Sequence, residues 1–295
     1  MVSGREFALW REKSRQDAIA LSIPPQEVDW LIESLAGLSP LQLRLASTQP
    51  SAELSLQIPF SELQQLWEKR LQQRIPVQYL VGETPWRDFL LKVSPAVLIP
   101  RPETELLPEI ALEQANDELR KGHWVDLGTG SGAIALSLAN ALPEATIHAV
   151  DNSLEAIAIA KGNAQRYHLE NSIQFYHGSW FSPLTHLQGK ISVMVSNPPY
   201  IPTATLAELQ PEVVHHEPKT ALDGGKDGLD AIRHLIDTAP KFLENEGLWL
   251  IEMEAGEGEA VQQLLRENGN YYKIELRKDL AGIDRFALAY VKKAA

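Results

Sequence analysis

An open, doubly wound α/β sheet of seven strands, preceded by a small helical domain, is the fold this sequence predicts, on three observations. Short β-rich runs alternate with helical patterns after Arg101; a glycine-rich turn separates the first such run from the helix behind it; and the first part of the chain spaces its apolar residues as helices do. With 295 residues, 44% of them hydrophobic, the chain can build one large core and a second, smaller one. The division expected is a helical domain over 1–77, a β-hairpin linker over 78–100 and the sheet domain over 101–295.

In "PPQEVDWLIESLAGLSP", Val28, Leu31, Ile32 and Leu35 fall on one helical face, with prolines ahead and Gly37 near the end. In "FSELQQLWEKRLQQRIP", Ser61 is the expected cap with Gln64 three residues later, and Leu63, Leu66, Trp67 and Leu71 form the apolar stripe before Pro76. Nothing in this part resembles a catalytic group, so partner recognition is its expected role by exclusion. Gly82 to Pro85 lie between apolar segments and predict the turn of a hairpin. Strands are predicted at "WVDL", "TIHAV", "IQFYHG", "ISVMVS", "LWLIEM", "YYKIEL" and "RFALAYV". Only "RKDLAGID" separates the last two, too little for a helical crossover, so they should pair antiparallel.

Composition excludes several kinds of chemistry. The chain has no cysteine, hence no disulfide, no thiolate metal site and no cysteine nucleophile, and the adjacent His215 and His216 are a poor chelating pair; no metal is expected. No apolar run approaches the roughly 20 residues that span a bilayer, and the N-terminus lacks a secretory apolar stretch, which predicts a cytoplasmic protein. Net charge is −12, divided as −2 over residues 1–90 and −10 over 91–295. Such acidity argues against tracking a phosphate backbone, a local basic patch aside.

The predicted first strand runs into "DLGTGSGAIALSLA", with glycines at 128, 130 and 132 and a helix pattern directly after. Glycines there allow a tight turn and let a ligand approach the backbone at a helix start. The spacing also satisfies the dinucleotide-binding form G-x-G-x-x-A, so the loop alone is ambiguous. Asp151 ends the next strand, 19 residues beyond Gly132, where a carboxylate can accept hydrogen bonds from both hydroxyls of a ribose. Asp126 adds a second acid beside the loop. Acids suit a ligand bearing a sulfonium and an ammonium better than one bearing a pyrophosphate, which points to S-adenosylmethionine. Trp180, past the third strand, belongs either against the adenine or in the core. Asn163 is expected on a helix surface or at a cap, with no chemistry.

"VSNPPYIP" follows the fourth strand. In an open sheet the ligand sits beyond the carboxyl ends of the strands, so Asn197 should share a cleft with Gly128 and Asp151. An amino group conjugated to a carbonyl or an aromatic ring is a poor nucleophile. Two acceptors, the Asn197 side-chain carbonyl and the Pro198 backbone carbonyl, can hold its N–H bonds and aim the lone pair at a methyl group. Tyr200 can cover the planar substrate group, and the two prolines keep the acceptors from relaxing away.

These motifs resemble those of the class I methyltransferases, and specifically the protein-(glutamine-N5) methyltransferases of the HemK/PrmC type that modify peptide chain release factors. "RIPVQYLVGE", "LIPRPETE", "EPKTALDGGKDGLD" and "DLAGIDR" stand in the order of that family, over nearly the whole chain. The resemblance implies a Rossmann-like domain that transfers a methyl group from S-adenosyl-L-methionine, leaving S-adenosyl-L-homocysteine, to the glutamine amide nitrogen of a Gly-Gly-Gln loop. It places the cofactor on Gly128, Thr129, Gly130, Ser131, Gly132, Asp151, Trp180 and Asn197. It places the substrate on Asn197, Pro198, Pro199 and Tyr200, with Asn197, Pro198 and Tyr200 catalytic, and has the helical domain help hold the release factor. The partners implied are release factors, with no stable nucleic acid and no membrane, and the enzyme a monomer. "NPPY" alone also occurs in enzymes that methylate amino groups of RNA or DNA bases, the alternative reading. "IEMEAGEGEAV" departs from the shorter "EIG" usual there, a difference at the rim that touches none of these residues. Glu103 or Glu105 of "RPETE" is expected either to contact the cofactor's amino-acid end or support the "NPPY" loop, or to be no more than favourable acids at a helix start. "LDGGKDGLD" reads as a loop closing over the site or as a turn before the helix holding Leu229, Ile232, Leu235 and Ile236.

Overall fold

The computed structural model describes residues 1–48 and 53–292, and its first contacts are set by a capping residue. Ser3 ends β1 (Val2–Ser3), accepts the Glu6 N–H at 3.2 Å and so starts α1 (Gly4–Ala20). Next, α2 (Gln26–Leu31) runs into a single π-type stretch, Ile32–Ala36, which ends at Gly37 with φ +69°. α3 (Pro40–Thr48), β2 (Glu53–Leu54), α4 (Phe60–Gln73) and α5 (Val77–Val81) follow, with β1 and β2 paired antiparallel. Phe7, Val28, Leu31, Ile32, Leu63, Trp67 and Val77 form the core of this part, with Leu35, Leu66 and Leu71 partly buried against it. The helical face expected in α2 is therefore the packed one. Ser61 is not a cap: α4 begins at Phe60, directly after extended Pro59, which puts Ser61 inside the first turn.

One compact unit comprises Met1–Glu83 and Gln210–His216, the other Thr84–Leu209 and Glu217–Ala295. Because Val77 is buried in the helical core, the first unit continues past residue 77. Among its described residues the deeply buried charge is Arg70. Arg70 donates to Glu27 (Nε to Oε2, 2.6 Å) and to Glu212 (2.7 Å), and Glu212 also pairs with Arg74 at 2.8 Å. A segment 142 residues downstream of Arg70 is thereby part of the helical unit.

The second unit opens with a hairpin, β3 (Glu83–Trp86) and β4 (Phe89–Lys92). Its turn is at Arg87 and Asp88 instead of Gly82 to Pro85, because Gly82 at φ +81° serves to end α5. A 3₁₀ turn (Pro102–Glu105) leads into α6 (Leu106–Gln114), followed by β5 (His123–Leu127), α7 (Ala133–Ala141), β6 (Thr146–Asp151), α8 (Leu154–Arg166), β7 (Ile173–His177) and β8 (Ile191–Ser196). After α9 (Pro211–His216), which belongs to the first unit, come α10 (Asp230–Phe242), β9 (Leu243–Glu252), α11 (Gly258–Asn268), β10 (Tyr271–Lys278) and β11 (Asp284–Val291). All seven predicted strands join one sheet in the order β10-β11-β9-β8-β5-β6-β7. Pairing is parallel from β9 to β7, and β11 runs antiparallel to both of its neighbours. One face packs Trp124, Ile147 and Val195 against α6 and α7, and the other packs Val125, Met194 and Trp249 against Ile232, Leu235 and Ile236 of α10 and Val261 of α11. Two covered faces explain why these strands read as continuous apolar runs. Among the described residues no helix is long and apolar enough to cross a membrane.

Removing the guanidinium with Arg70→Leu leaves Glu27 and Glu212 without their shared partner. A loss of about 2–4 kcal/mol from the first unit is expected, below the ~3–5 of a fully buried pair because both carboxylates keep some exposure. Hydrogen exchange read by mass spectrometry should show faster exchange at the α9 amides than at those of β8.

Candidate active site

The site starts from a strand pairing. β5 and β8 are parallel neighbours with Leu127 opposite Ser196, and the Ser196 hydroxyl donates to the Leu127 carbonyl at 2.6 Å. The chain segments that leave these two strands, Gly128 onward and Asn197 onward, therefore emerge side by side. β6 lies on the far side of β5 and ends at Asp151. Between them is a cleft, partly open to solvent, at the carboxyl ends of the strands.

The glycine loop forms one wall. Gly128, Gly130 and Gly132 have φ of +79°, +54° and +85°, values that L side chains rarely adopt. Gly128, Thr129, Gly130 and Ser131 line the cleft, and Gly132 does not. Gly132 starts α7 instead, where a Cβ would stand 2.9 Å from Leu136 Cδ1 and 3.1 Å from Ala160 Cβ. Asp126 also faces away from the cleft lining. Fully buried beneath the loop, it accepts Thr129 Oγ1 (2.6 Å) and the Ala135 N–H (3.1 Å) on Oδ2, while Oδ1 has no hydrogen-bond partner among the described residues. Burial pushes its carboxyl up to about 7 against the pull of those two bonds. Asn163, expected at a surface or a cap, is buried and structural. Its Oδ1 accepts the Lys92 N–H and its Nδ2 donates to the carbonyls of Lys92 and Ser131, tying β4 and the glycine loop to α8.

Asp151 lines the cleft with its carboxylate braced from two sides. Gly130 N–H donates to Oδ2 and Ser153 N–H to Oδ1, both at 2.9 Å, and burial raises the pKa of this group. The carboxylate keeps acceptor capacity for a ligand. Trp180 answers both readings made of it: it lines the cleft, and it packs partly buried against the core beneath. Its φ of +50° is unusual for so bulky a residue, and its ring comes within 3.9 Å of where a Gly128 Cβ would be.

Asn197 and Pro199 line the cleft, Pro198 is buried behind them, and Tyr200 is half-buried outside the lining. Asn197 Nδ2 donates to Thr104 Oγ1 at 3.1 Å, Thr104 Oγ1 donates to Glu252 Oε2 at 2.7 Å, and the Tyr200 hydroxyl donates to Glu252 Oε1 at 3.0 Å. Thus the residue of "RPETE" hydrogen-bonded to "NPPY" is Thr104, while Glu103 faces Tyr200 as a charge. Glu105 is turned to the hairpin, where its carboxylate accepts the Arg87 N–H at 3.2 Å. Glu252 belongs to the segment expected to lie clear of the site, yet it is fully buried at the centre of this network. Since β9 pairs with β8, Ile251 opposite Ser196, the end of β9 arrives beside Asn197. The sequence signal for it is an acid one residue before the end of a predicted strand. "LDGGKDG" holds the loop from behind: Ile201 N–H donates to Leu222 O, Gly224 N–H to Ile201 O and Thr203 N–H to Gly225 O. A Cβ on Gly228 would meet Tyr200 O at 2.4 Å, so glycine is required by the close approach of two backbones. Arg101, also lining the cleft, donates to both oxygens of Glu217 at 2.8 and 2.9 Å and anchors the chain that leads into this support.

Sheet order, glycine loop and the amide after β8 together define a class I methyltransferase. The family model described as "Methyltransferase small domain" matches residues 104–226. Proteins named release factor glutamine methyltransferase resemble the chain along its length: that of Synechocystis is 49% identical over 98% of this chain and 97% of the relative, and that of Gloeobacter violaceus 43% over 95% and 96%. The protein of that name from Vibrio cholerae is 44% identical over 74% of each. Among solved structures, the hMettl16 catalytic domain in complex with the MAT2A 3'UTR hairpin 6 shares the fold, with 15% identity, a TM-score of 0.55 and coverage of 82% of this chain and 86% of that one. The chain belongs to the release factor glutamine methyltransferase family.

The raised carboxyl of Asp126 has a consequence for stability. A folded pKa near 7 lies above the unfolded value, so this group's contribution is complete below the ordinary carboxylate range and is lost as pH rises through about 7. Asp126→Asn should remove up to about 1.4 kcal/mol per pH unit of that slope. Unfolding curves of the two proteins between pH 4.5 and 7.5 check this: their difference in stability must drift in favour of the variant as pH rises.

Proposed function

We propose that this chain transfers a methyl group from S-adenosylmethionine to the side-chain amide nitrogen of the glutamine in the Gly-Gly-Gln loop of bacterial-type peptide chain release factors. Family membership supports the reaction class. The observation that carries the reading is Asn197 in the cleft, its amide nitrogen committed to Thr104 and its carbonyl left to accept from a ligand.

The residues present fit that methyl donor. Gly128 is exposed, a Cβ at Gly130 would meet nothing within 4 Å, and both therefore offer bare backbone to the cleft. Asp151 stands ready for a ribose and Trp180 for the edge or face of the adenine. Thr129, Ser131 and the start of α7 at Gly132 complete the loop that would hold it. S-adenosylmethionine supplies a methyl carbon on a positive sulfur, which departs as a neutral thioether when the carbon is attacked.

A glutamine amide is planar, its nitrogen lone pair drawn into the carbonyl. The chain's own task is to hold both N–H bonds so that the lone pair points at the methyl. Asn197 Oδ1 takes one N–H and the Pro198 carbonyl the other, on a backbone whose two prolines cannot swing away. Tyr200 and Pro199 border the amide plane. Such acceptors strengthen as positive charge grows on the attacking nitrogen, which gives up a proton after the bond forms. The helical unit is read as a holder of the release factor, and the cytoplasm, where peptide release takes place, is the compartment this reading implies.

Mass spectrometry of a release factor incubated with the protein and S-adenosylmethionine should find one added methyl on the Gly-Gly-Gln glutamine. Methyl groups on an RNA added in parallel, with none on the factor, would replace this reading by base methylation. For Asn197→Ala, kcat should fall on the order of 10²-fold or more while S-adenosylhomocysteine still raises the melting temperature. Full activity in that variant removes the amide from the mechanism.

A further inference from the structure

The Asn197 amide can face the cleft with either end. Only the carbonyl end can accept a substrate N–H; the NH₂ end would meet that N–H donor to donor. Sequence alone cannot choose between them, and neither can the backbone, because the two orientations differ by a half-turn of one side-chain torsion. We propose that Glu252 and Thr104 are positioning residues whose chain of hydrogen bonds fixes the Asn197 carbonyl toward the substrate. The inference rests on the methyl-transfer reading of the cleft.

Counting donors along the chain gives the argument. An ionised carboxylate is acceptor-only, and Glu252 spends its two oxygens on two hydroxyls, Oε2 on Thr104 and Oε1 on Tyr200. Thr104 has one hydroxyl proton and gives it to Glu252. Toward Asn197 it therefore offers only a lone pair, and only Nδ2 satisfies a lone pair. With Nδ2 held at Thr104, Oδ1 is the end left for the cleft. Burial of Glu252 and Thr104, at 0% and 4% exposure, keeps water from supplying a substitute donor or acceptor. The same carboxylate holds the Tyr200 hydroxyl, so amide and ring are set by one group.

Protonation of Glu252 breaks this logic. A carboxyl with a proton donates one hydrogen bond, which frees the Thr104 hydroxyl to donate to Asn197 Oδ1 and makes both amide orientations acceptable. Burial pushes Glu252 up to about 7, and the charged groups facing it pull in opposite directions: Glu103 from the 3₁₀ turn raises it, Arg285 from β11 lowers it, and the hydroxyls of Thr104 and Tyr200 favour the anion. Since the folded value is raised, the neutral form grows as pH falls through about 7.

The test compares Thr104→Val and Thr104→Ser for kcat on a release factor and for the affinity of S-adenosylhomocysteine. Expected for Thr104→Val is a kcat lower on the order of 10²-fold at unchanged product affinity, with most of the rate recovered in Thr104→Ser, which keeps the hydroxyl. Equal loss in both variants, or loss that tracks weakened product binding, means a packing role and overturns the proposal. Absence of methyl transfer by the unaltered chain overturns the reading of the reaction and this inference with it, whereas transfer indifferent to Thr104→Val overturns the inference alone. Should Thr104→Val fail to fold, the pH profile of the unaltered protein decides: kcat must decline on the acid side of pH 7 toward a lower plateau, and Glu252→Gln must abolish that step. A kcat flat from pH 6 to 8.5 overturns it.

Discussion

The hydrogen bond from the Ser196 hydroxyl to the Leu127 carbonyl joins the ends of two strands 69 residues apart, and the cleft depends on the register it marks. A slip of one residue would turn every side chain of β8 to the opposite face of the sheet and carry Asn197 away from the glycine loop. With the register held, four neighbouring parallel strands each deliver one part of the site at the same height: Glu252 from β9, Asn197 from β8, the glycine loop from β5 and Asp151 from β6. The crossovers between them are packed into two cores, so the strand ends have no freedom to drift.

Two ways of burying charge appear in the chain. In the helical unit Arg70 meets carboxylates and the charges answer one another. In the catalytic unit Asp126 and Glu252 are buried with hydroxyls and an amide N–H as hydrogen-bond partners, and burial pushes both up to about 7, for Glu252 against the pull of Arg285. Neutral donors orient a carboxylate without cancelling it. Prolines and glycines fix the backbone of the site, buried acids fix its polar side chains, and both are in order before any ligand arrives.

Much of this was legible in the sequence, and the parts that were not share a cause. Strands buried on both faces announce themselves as apolar runs, and "DLGTGSG" and "NPPY" carry their geometry in glycine and proline. Local pattern failed where the partner is remote. Asn163 looks like a helix-surface amide until Lys92 and Ser131 are brought to it. Thr104 is the least conspicuous residue of "RPETE", and nothing near it in the chain predicts Glu252, 148 residues on. Asp126 was placed beside the loop, whereas the turn it braces folds over it. Smaller misreadings were local: Ser61 stands too close behind Pro59 to cap, and Gly82 stops a helix before the hairpin begins.

Arg70 and Arg74 hold Glu212 of a segment that leaves the catalytic unit at Leu209 and returns to it at Glu217. The chain thus passes between the two units three times instead of through one linker. A chimera that takes its helical unit from a relative by exchanging residues 1–83 alone will graft a foreign surface onto a native Pro211–His216, and the graft succeeds only if the donor brings cations to meet Glu212. Cutting after residue 83 is no cleaner, because it leaves Glu212 without Arg70 and Arg74. Modular shuffling of this enzyme therefore has to treat two distant stretches of gene as one cassette.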